Sequence, residues 1–402
     1  MENGIFETLI NKGVKIIAPQ TVFISDDVSP YNIEEGVTIY PGCRISGKKT
    51  FIGRGAKIGH EAPVTLENCT LGHDVELKGG YYKKSVFLDR SSMGLGAHVR
   101  EGSILEEEAN SAHTVGLKQT ILFPFVTLGS LINFCDCMMA GGTSRRDHSE
   151  VGSSYIHFNF TPNMDKATAS LMGDVPRGVF LREKPIFLGG QGGLVGPSRI
   201  GFGSTIAAGI VYRGDLADGV LVTGVHQEAK ESPFLPGVYF EIKRKVNNNI
   251  FYITNLIALR NWYAHVRSMF LPEPILKASI EALDSGLDER ISRLKALAAR
   301  IPESIKGLKL VKKEHLSDVI RQQKEFCSRW PKVEDKLNTI RNFEGDLSLK
   351  LVFLSSLPTG SRDYIETIHA LNDNTVKLGI SWLSSITRTI ETETIGLLPA
   401  FS

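Results

Sequence analysis

Four short runs carry the side chains best suited to chemistry. In the run 155–160 (YIHFNF) an imidazole alternates with two phenyl rings beside an amide, so His157 could face a pocket as a general base; a corner histidine bonded to a nearby carbonyl is the plainer alternative. Arg145, Arg146, Asp147 and His148 group two guanidinium groups as a phosphate clamp would, and equally as a solvated loop with an internal ion pair would. Cys135 and Cys137 flank Asp136, but two ligands one residue apart with no second pair fall short of a zinc site, and no metal is expected. Strand alternation would put both thiols on one face, as small hydrophobes. The run 189–193 (GGQGG) lacks the Lys-Ser/Thr of a Walker loop, although its exposed backbone could lie along a narrow ligand. His113 and His148 are further imidazoles whose orientation depends on the loops around them.

These side chains must be held by something, and glycine says what. Of the 39 glycines, 33 fall in residues 1–250 and 6 in residues 251–402. In the first part aliphatics recur at six-residue steps, often followed by Gly: Val37, Ile39, Cys43 and Ile45, then Ile52, Ile58, Leu71, Val75 and Leu77. A hexapeptide period marks a parallel β-helix, in which each hexapeptide makes one flat face of a triangular coil and about 18 residues close a turn. An antiparallel sandwich is the competing fold, but its turns should recur every 8 to 12 residues. The pattern predicts an N-terminal segment at 1–35, a left-handed parallel β-helix over 36–231, a linker at 232–250 and an α-helical domain over 251–402. There Leu287, Ile291, Leu294, Leu297, Ala298 and Ile301 form an amphipathic stripe that Pro302 should end. Val319, Phe326, Trp330, Val333, Leu337 and Ile340 form a second, which Pro331 should kink or divide. The aromatic-rich segment 251–270 is expected to dock the helices on the coils.

With 46 basic and 44 acidic side chains in 402 residues, no charge excess points to nucleic acid or an anionic membrane as partner. The N-terminal stretch has no basic region followed by an apolar one, and no run approaches the roughly 20 apolar residues that span a bilayer, so a cytoplasmic protein is expected. Five cysteines in no paired pattern suit a reducing compartment.

The run 94–119 (GLGAHVREGSILEEEANSAHTVGLKQ) is similar without a gap to the acetyltransferase half of the bifunctional bacterial N-acetylglucosamine-1-phosphate uridyltransferase / glucosamine-1-phosphate acetyltransferase, a left-handed β-helix trimer. The runs 153–162 and 187–209 continue the resemblance, which covers about 120 residues in all, the length of several ~18-residue coils. It implies that Arg100 and Lys118 hold a sugar phosphate, a task suited to charge-assisted donors. It further implies that Asn159 contacts the sugar, that Phe160 stands where the family has a tyrosine, and that Lys166 lies within one residue of a family lysine. Ala207 and Ala208 correspond to the small residues along which the acetyl-CoA arm runs, with Gly189 and Gly190 in the same glycine-rich rungs.

The departures are as informative. Where the family carries its base histidine this chain has Ser130, and Asn133 and Glu150 replace a substrate-contacting tyrosine and an asparagine. An unassisted hydroxyl cannot take a proton from an amine near neutral pH. Insertions before Glu150 and between Thr168 and Phe187 reshape the pocket. The resemblance implies a homotrimeric acyltransferase that uses acetyl-CoA or another acyl-CoA on a sugar phosphate or UDP-sugar. The alternative is a non-catalytic relative that binds a UDP-amino sugar. Nucleotidyl transfer is not expected, because about 35 residues before the repeats are too few for a nucleotide-binding α/β domain.

Overall fold

The computed structural model describes residues 3–159, 163, 165–224, 231, 234–311, 316–358, 360 and 363–401. Residues 15–222 wind into a parallel β-solenoid of about eleven turns, and a helical region follows. The first face is an 11-stranded parallel sheet running from Lys15–Ile16 to Leu221–Val222. The second and third faces join into one 16-stranded sheet, because the long strands Val115–Leu122 and Ile132–Met139 bend across the corner between them. Gln119 and Asp136 make that bend with φ of 50° and 57°.

On the second face burial alternates, as expected of strands with one wet side: in Val115–Leu117 and Ile132–Phe134 the outer positions of each triplet are buried and the middle one is not. The third face differs. Its strands Ser85–Phe87, Ser103–Leu105 and Ser170–Met172 are buried at every position, because helices cover their outer side.

The helices are α1 (Asn3–Asn11), which caps the first coils, α2 (Val175–Gly178), in the insertion after Thr168, and then α3 (Lys243–His265), α4 (Glu273–Leu310), α5 (Leu316–Thr339), α6 (Leu347–Ser355), α7 (Tyr364–Ala370) and α8 (Asp373–Gly396). Helix α3 is buried on nearly all sides, packing against α4, α8 and the solenoid, which explains its lack of a polar face. Trp262 of α3 lies 5.2 Å from the ring of Phe180, just beyond α2, and 5.9 Å from Phe353. The insertion thus plugs the helical region, and one continuous apolar core runs from the coils through the helices.

Ionic groups also cross this seam. The Tyr263 hydroxyl donates to Glu106 (2.6 Å), and Arg267 donates to both oxygens of Glu107 (2.7 and 2.8 Å). All four side chains are buried, with Arg267 bonded to Glu107 and Glu106 held by Tyr263 beside that pair. Burial, added to by Glu107, raises the Glu106 carboxyl to about 7 despite the opposing effect of Arg267.

Three boundaries differ from the sequence expectations. Coiling starts at Lys15, whose strand already pairs with Thr38–Ile39, so most of the expected N-terminal segment is β-helix. Its irregular turns and 3₁₀ segments obscure the hexapeptide period. Helix α3 begins at Lys243, inside the expected linker. Pro302 does not end its helix, since it lies within α4, and Pro331 does not divide α5. A proline removes one N–H and crowds one turn, and the buried Ile301, Ser304 and Leu308 hold the rest of α4 in place.

Candidate functional site

The second face positions the two cations. Tyr82 pairs with Val99 and Val99 with Leu117, and the Arg100 N–H donates to the Leu117 carbonyl (2.9 Å). Arg100 and Lys118 therefore follow one another in register on adjacent coils and point away from the core. Both converge on one carboxylate, Glu101: Lys118 Nζ at 3.1 Å and an Arg100 guanidinium nitrogen at 3.6 Å. Burial alone would raise Glu101, but its own backbone N–H and these two cations hold it below the usual carboxylate range. The trio is partly exposed and carries one net positive charge, so an incoming anion meets attraction and gives up only a weak surface pairing.

Asn133 lies on the same face, exposed, in register with Gly116. Cys135 is in register with Lys118 and donates its Sγ–H to Asn133 Oδ1 (3.2 Å). Burial, with Asp136 beside it, pushes the Cys135 thiol up to about 11, so it is no nucleophile at neutral pH. The two thiols do not share a face: the corner at Asp136 leaves Cys135 on the second and Cys137 on the third, fully buried. Among the described residues, no group of three His, Cys, Asp or Glu side chains could hold a metal ion.

His157 points into the solenoid. It is in register with Leu194, in the interior column that also holds Phe134, while Ile156 and Phe158 face outward. Its Nε2 sits 2.8 Å from Ser170 Oγ, and burial lowers its pKa to about 4. The imidazole is neutral and walled from solvent, opposite to the orientation expected from its alternation with phenyl rings. Asn159 is committed inside the fold too, donating to Asp136 Oδ2 (3.0 Å) and accepting from the Thr168 hydroxyl (2.7 Å). Asp136 in turn pairs with the buried Arg290 of α4. Arg290 is a residue that sequence reasoning missed, because its partner lies far away in the chain. Phe160 lies outside the described residues. Lys166 is described and exposed.

Arg145 is not a mobile clamp. Its guanidinium donates to the Glu108 and Phe125 carbonyls and to Thr127 Oγ1, which pins the hairpin Gly142–Ser144 / Asp147–His148 onto the coils. Gly189 and Gly190 serve close stacking: a Cβ would lie 2.3 Å from the Ala208 N and 2.8 Å from the Ser153 carbonyl oxygen respectively. Ala207 is half-buried and Ala208 exposed at the same corner. Ser130 lies on that corner as well. Its N–H donates to Ser153 Oγ (3.1 Å), and its own Oγ is 3.0 Å from Nδ1 of the exposed His113.

No family model matches the chain. Its similar proteins include the bifunctional protein GlmU of Thermotoga maritima, 30% identical over 213 residues, or 52% of this chain and 42% of that one. That of Halalkalibacterium halodurans is 25% identical over 235 residues, 58% of this chain and 46% of its own. The corresponding protein of Thermus thermophilus is 28% identical over 213 residues, 53% and 42% of the two chains. The chain spans less than half the length of these relatives. A parallel β-solenoid with an outward pair of cations, matched over about half of its chain, this protein has the bifunctional GlmU proteins as its homologues.

Proposed function

We propose that the solenoid binds the phosphate of an amino-sugar phosphate or UDP-sugar between Arg100 and Lys118 and transfers to that ligand an acyl group from acetyl-CoA or another acyl-CoA. The observation that carries this reading is the shared outward column of the two cations, converging on Glu101. A phosphate would take over the guanidinium fork and the ammonium, with Asn133 offering an amide to the sugar. The acyl donor would run past Ala207 and Ala208 at the corner that also holds Ser130. Exposed Ile156, Phe158 and Val211 on the same face suit burial against a second copy, which supports a homotrimer. No helix among the described residues is long and apolar enough to cross a membrane, which fits a cytoplasmic setting.

Amide formation joins the amine nitrogen to the thioester carbonyl carbon, expels the thiolate and releases one proton from nitrogen. Backbone N–H groups at the corner would stabilise the oxyanion. The proton acceptor we assign is His113, the exposed imidazole hydrogen-bonded to Ser130, and not the interior His157. Ser130 and the inward His157 also favour a second reading, a protein that binds the ligand without turning it over.

The test measures thiol release from acetyl-CoA with glucosamine 1-phosphate and with UDP-glucosamine as acceptors, beside thermal shifts by UDP-N-acetylglucosamine and by coenzyme A. Turnover that falls at least tenfold in Arg100→Ala and in Lys118→Ala supports the enzyme. A thermal shift by UDP-N-acetylglucosamine that these variants lose, with no shift by coenzyme A and no turnover, supports binding alone. Neither shift nor turnover overturns both.

A further inference from the structure

On the far side of the Glu101 corner from Arg100 and Lys118, a cleft of about 370 Å³ opens between the solenoid and residues 278–285 of α4. Its rim carries Lys48, Lys49 and Lys84. Lys49 is taken up by Glu281 (2.7 Å), and the Glu101 carboxylate on the rim is taken up by Lys118. Lys48 and Lys84 have no carboxylate within bonding distance among the described residues, so two positive charges face the opening unspent.

The walls have unused hydrogen-bonding capacity as well. Thr70 is 3% exposed, yet its hydroxyl has no protein partner among the described residues. Asn68 accepts at Oδ1 from the Lys49 N–H (3.3 Å), which leaves its Nδ2 donors free. Neither group is sealed from solvent without a partner, so both are open to a molecule that enters the cleft. Val86 lies beside Thr70 on the same wall, and across the cleft α4 presents Ala278 and Ala282 with Ser285 and the Lys49-bound Glu281. The alanines leave open the space that larger helix residues would fill.

Two ammonium groups, an amide and a hydroxyl on one side match phosphate oxygens, and small apolar side chains on the other match an uncharged body. We propose that this cleft binds an organic phosphate, with the anion between Lys48 and Lys84 and the rest of the molecule beneath Ala278 and Ala282. The site adjoins the Arg100–Lys118 column across Glu101 but does not depend on acyl transfer there.

The full chain carrying Arg100→Ala, Lys118→Ala and Glu101→Gln, which silences the outward column without leaving a bare carboxylate on the rim, is titrated calorimetrically with UDP, glucosamine 1-phosphate and inorganic phosphate. Saturable one-to-one binding of either ester is expected, weakened at least tenfold by Lys48→Glu with Lys84→Glu, and likewise by Ala282→Phe, which fills the cleft without touching charge. Tighter binding of UDP identifies a nucleotide ligand, and tighter binding of glucosamine 1-phosphate a sugar phosphate. The proposal is overturned if neither ester binds, if inorganic phosphate binds as tightly as both, or if binding survives both sets of changes.

Discussion

Replacing Glu106 by Gln tests how the solenoid and the helices are joined. The side chain keeps an oxygen to accept from Tyr263 but loses its titration. Glu106 is raised from 4.5 to about 7, so the folded state holds a proton that the unfolded chain has released. Between these two values the folded form binds more protons, and stability falls as pH rises. The gap of about 2.5 pH units, at about 1.4 kcal/mol each, is worth about 3–4 kcal/mol, all of it lost above about pH 8 and none below about pH 4. Urea unfolding of the wild type and Glu106→Gln at pH 5, 6, 7 and 8 should show the variant gaining on the wild type as pH rises, by about 2–3 kcal/mol over the series. A difference between the two proteins that stays flat across that range would refute the reasoning, because it would mean that Glu106 folds already ionised beside Arg267.

Arg290→Ala strands Asp136 in a buried site and should cost about 3–5 kcal/mol in urea unfolding, whereas adding Asp136→Asn should recover much of it. His157→Phe should leave ligand shifts and any thiol release within a few-fold of wild type, and a loss of about a hundredfold in a folded variant would put the base there after all. Gly379→Ala would bring a Cβ to 2.3 Å from the Phe180 ring. Its cost of about 1–3 kcal/mol should appear as a lower thermal midpoint. Trp382→Ala, which empties a fully buried indole site between α3 and α6, should cost about 3–5 kcal/mol by the same measurement.

The coil stack was readable from sequence because its columns repeat: Ile39, Ile58 and Leu77 are six-residue landmarks and occupy one buried column of the first face. The order of Arg100 and Lys118 was readable for the same reason. Phase was harder. In Ile156-His157-Phe158 the apolar residues suggest an inward pair with an outward imidazole, the opposite phase buries His157, and the segment alone does not decide. Its neighbours do, since Leu117 and Phe134 fix which parity points inward, and a one-residue slip would reverse every side chain. Prolines misled because a local rule was set against tertiary packing around Ile301 and Leu308. Arg290, Arg267 and the lysines of the cleft were out of reach, since their meaning comes from partners more than a hundred residues away, or from helix α4 laid over a corner.

The helices on the third face also restrict assembly. A bare three-sided prism offers every flank to its neighbours, but here one flank is permanently upholstered by the chain's own helices, with salt bridges such as Arg267 to Glu107 fastening it. Copies that packed prism flank against prism flank would have the first and second flanks left for it. The edge carrying His113 and Ser130 runs between those two flanks, so any such packing would bring a neighbour close to it.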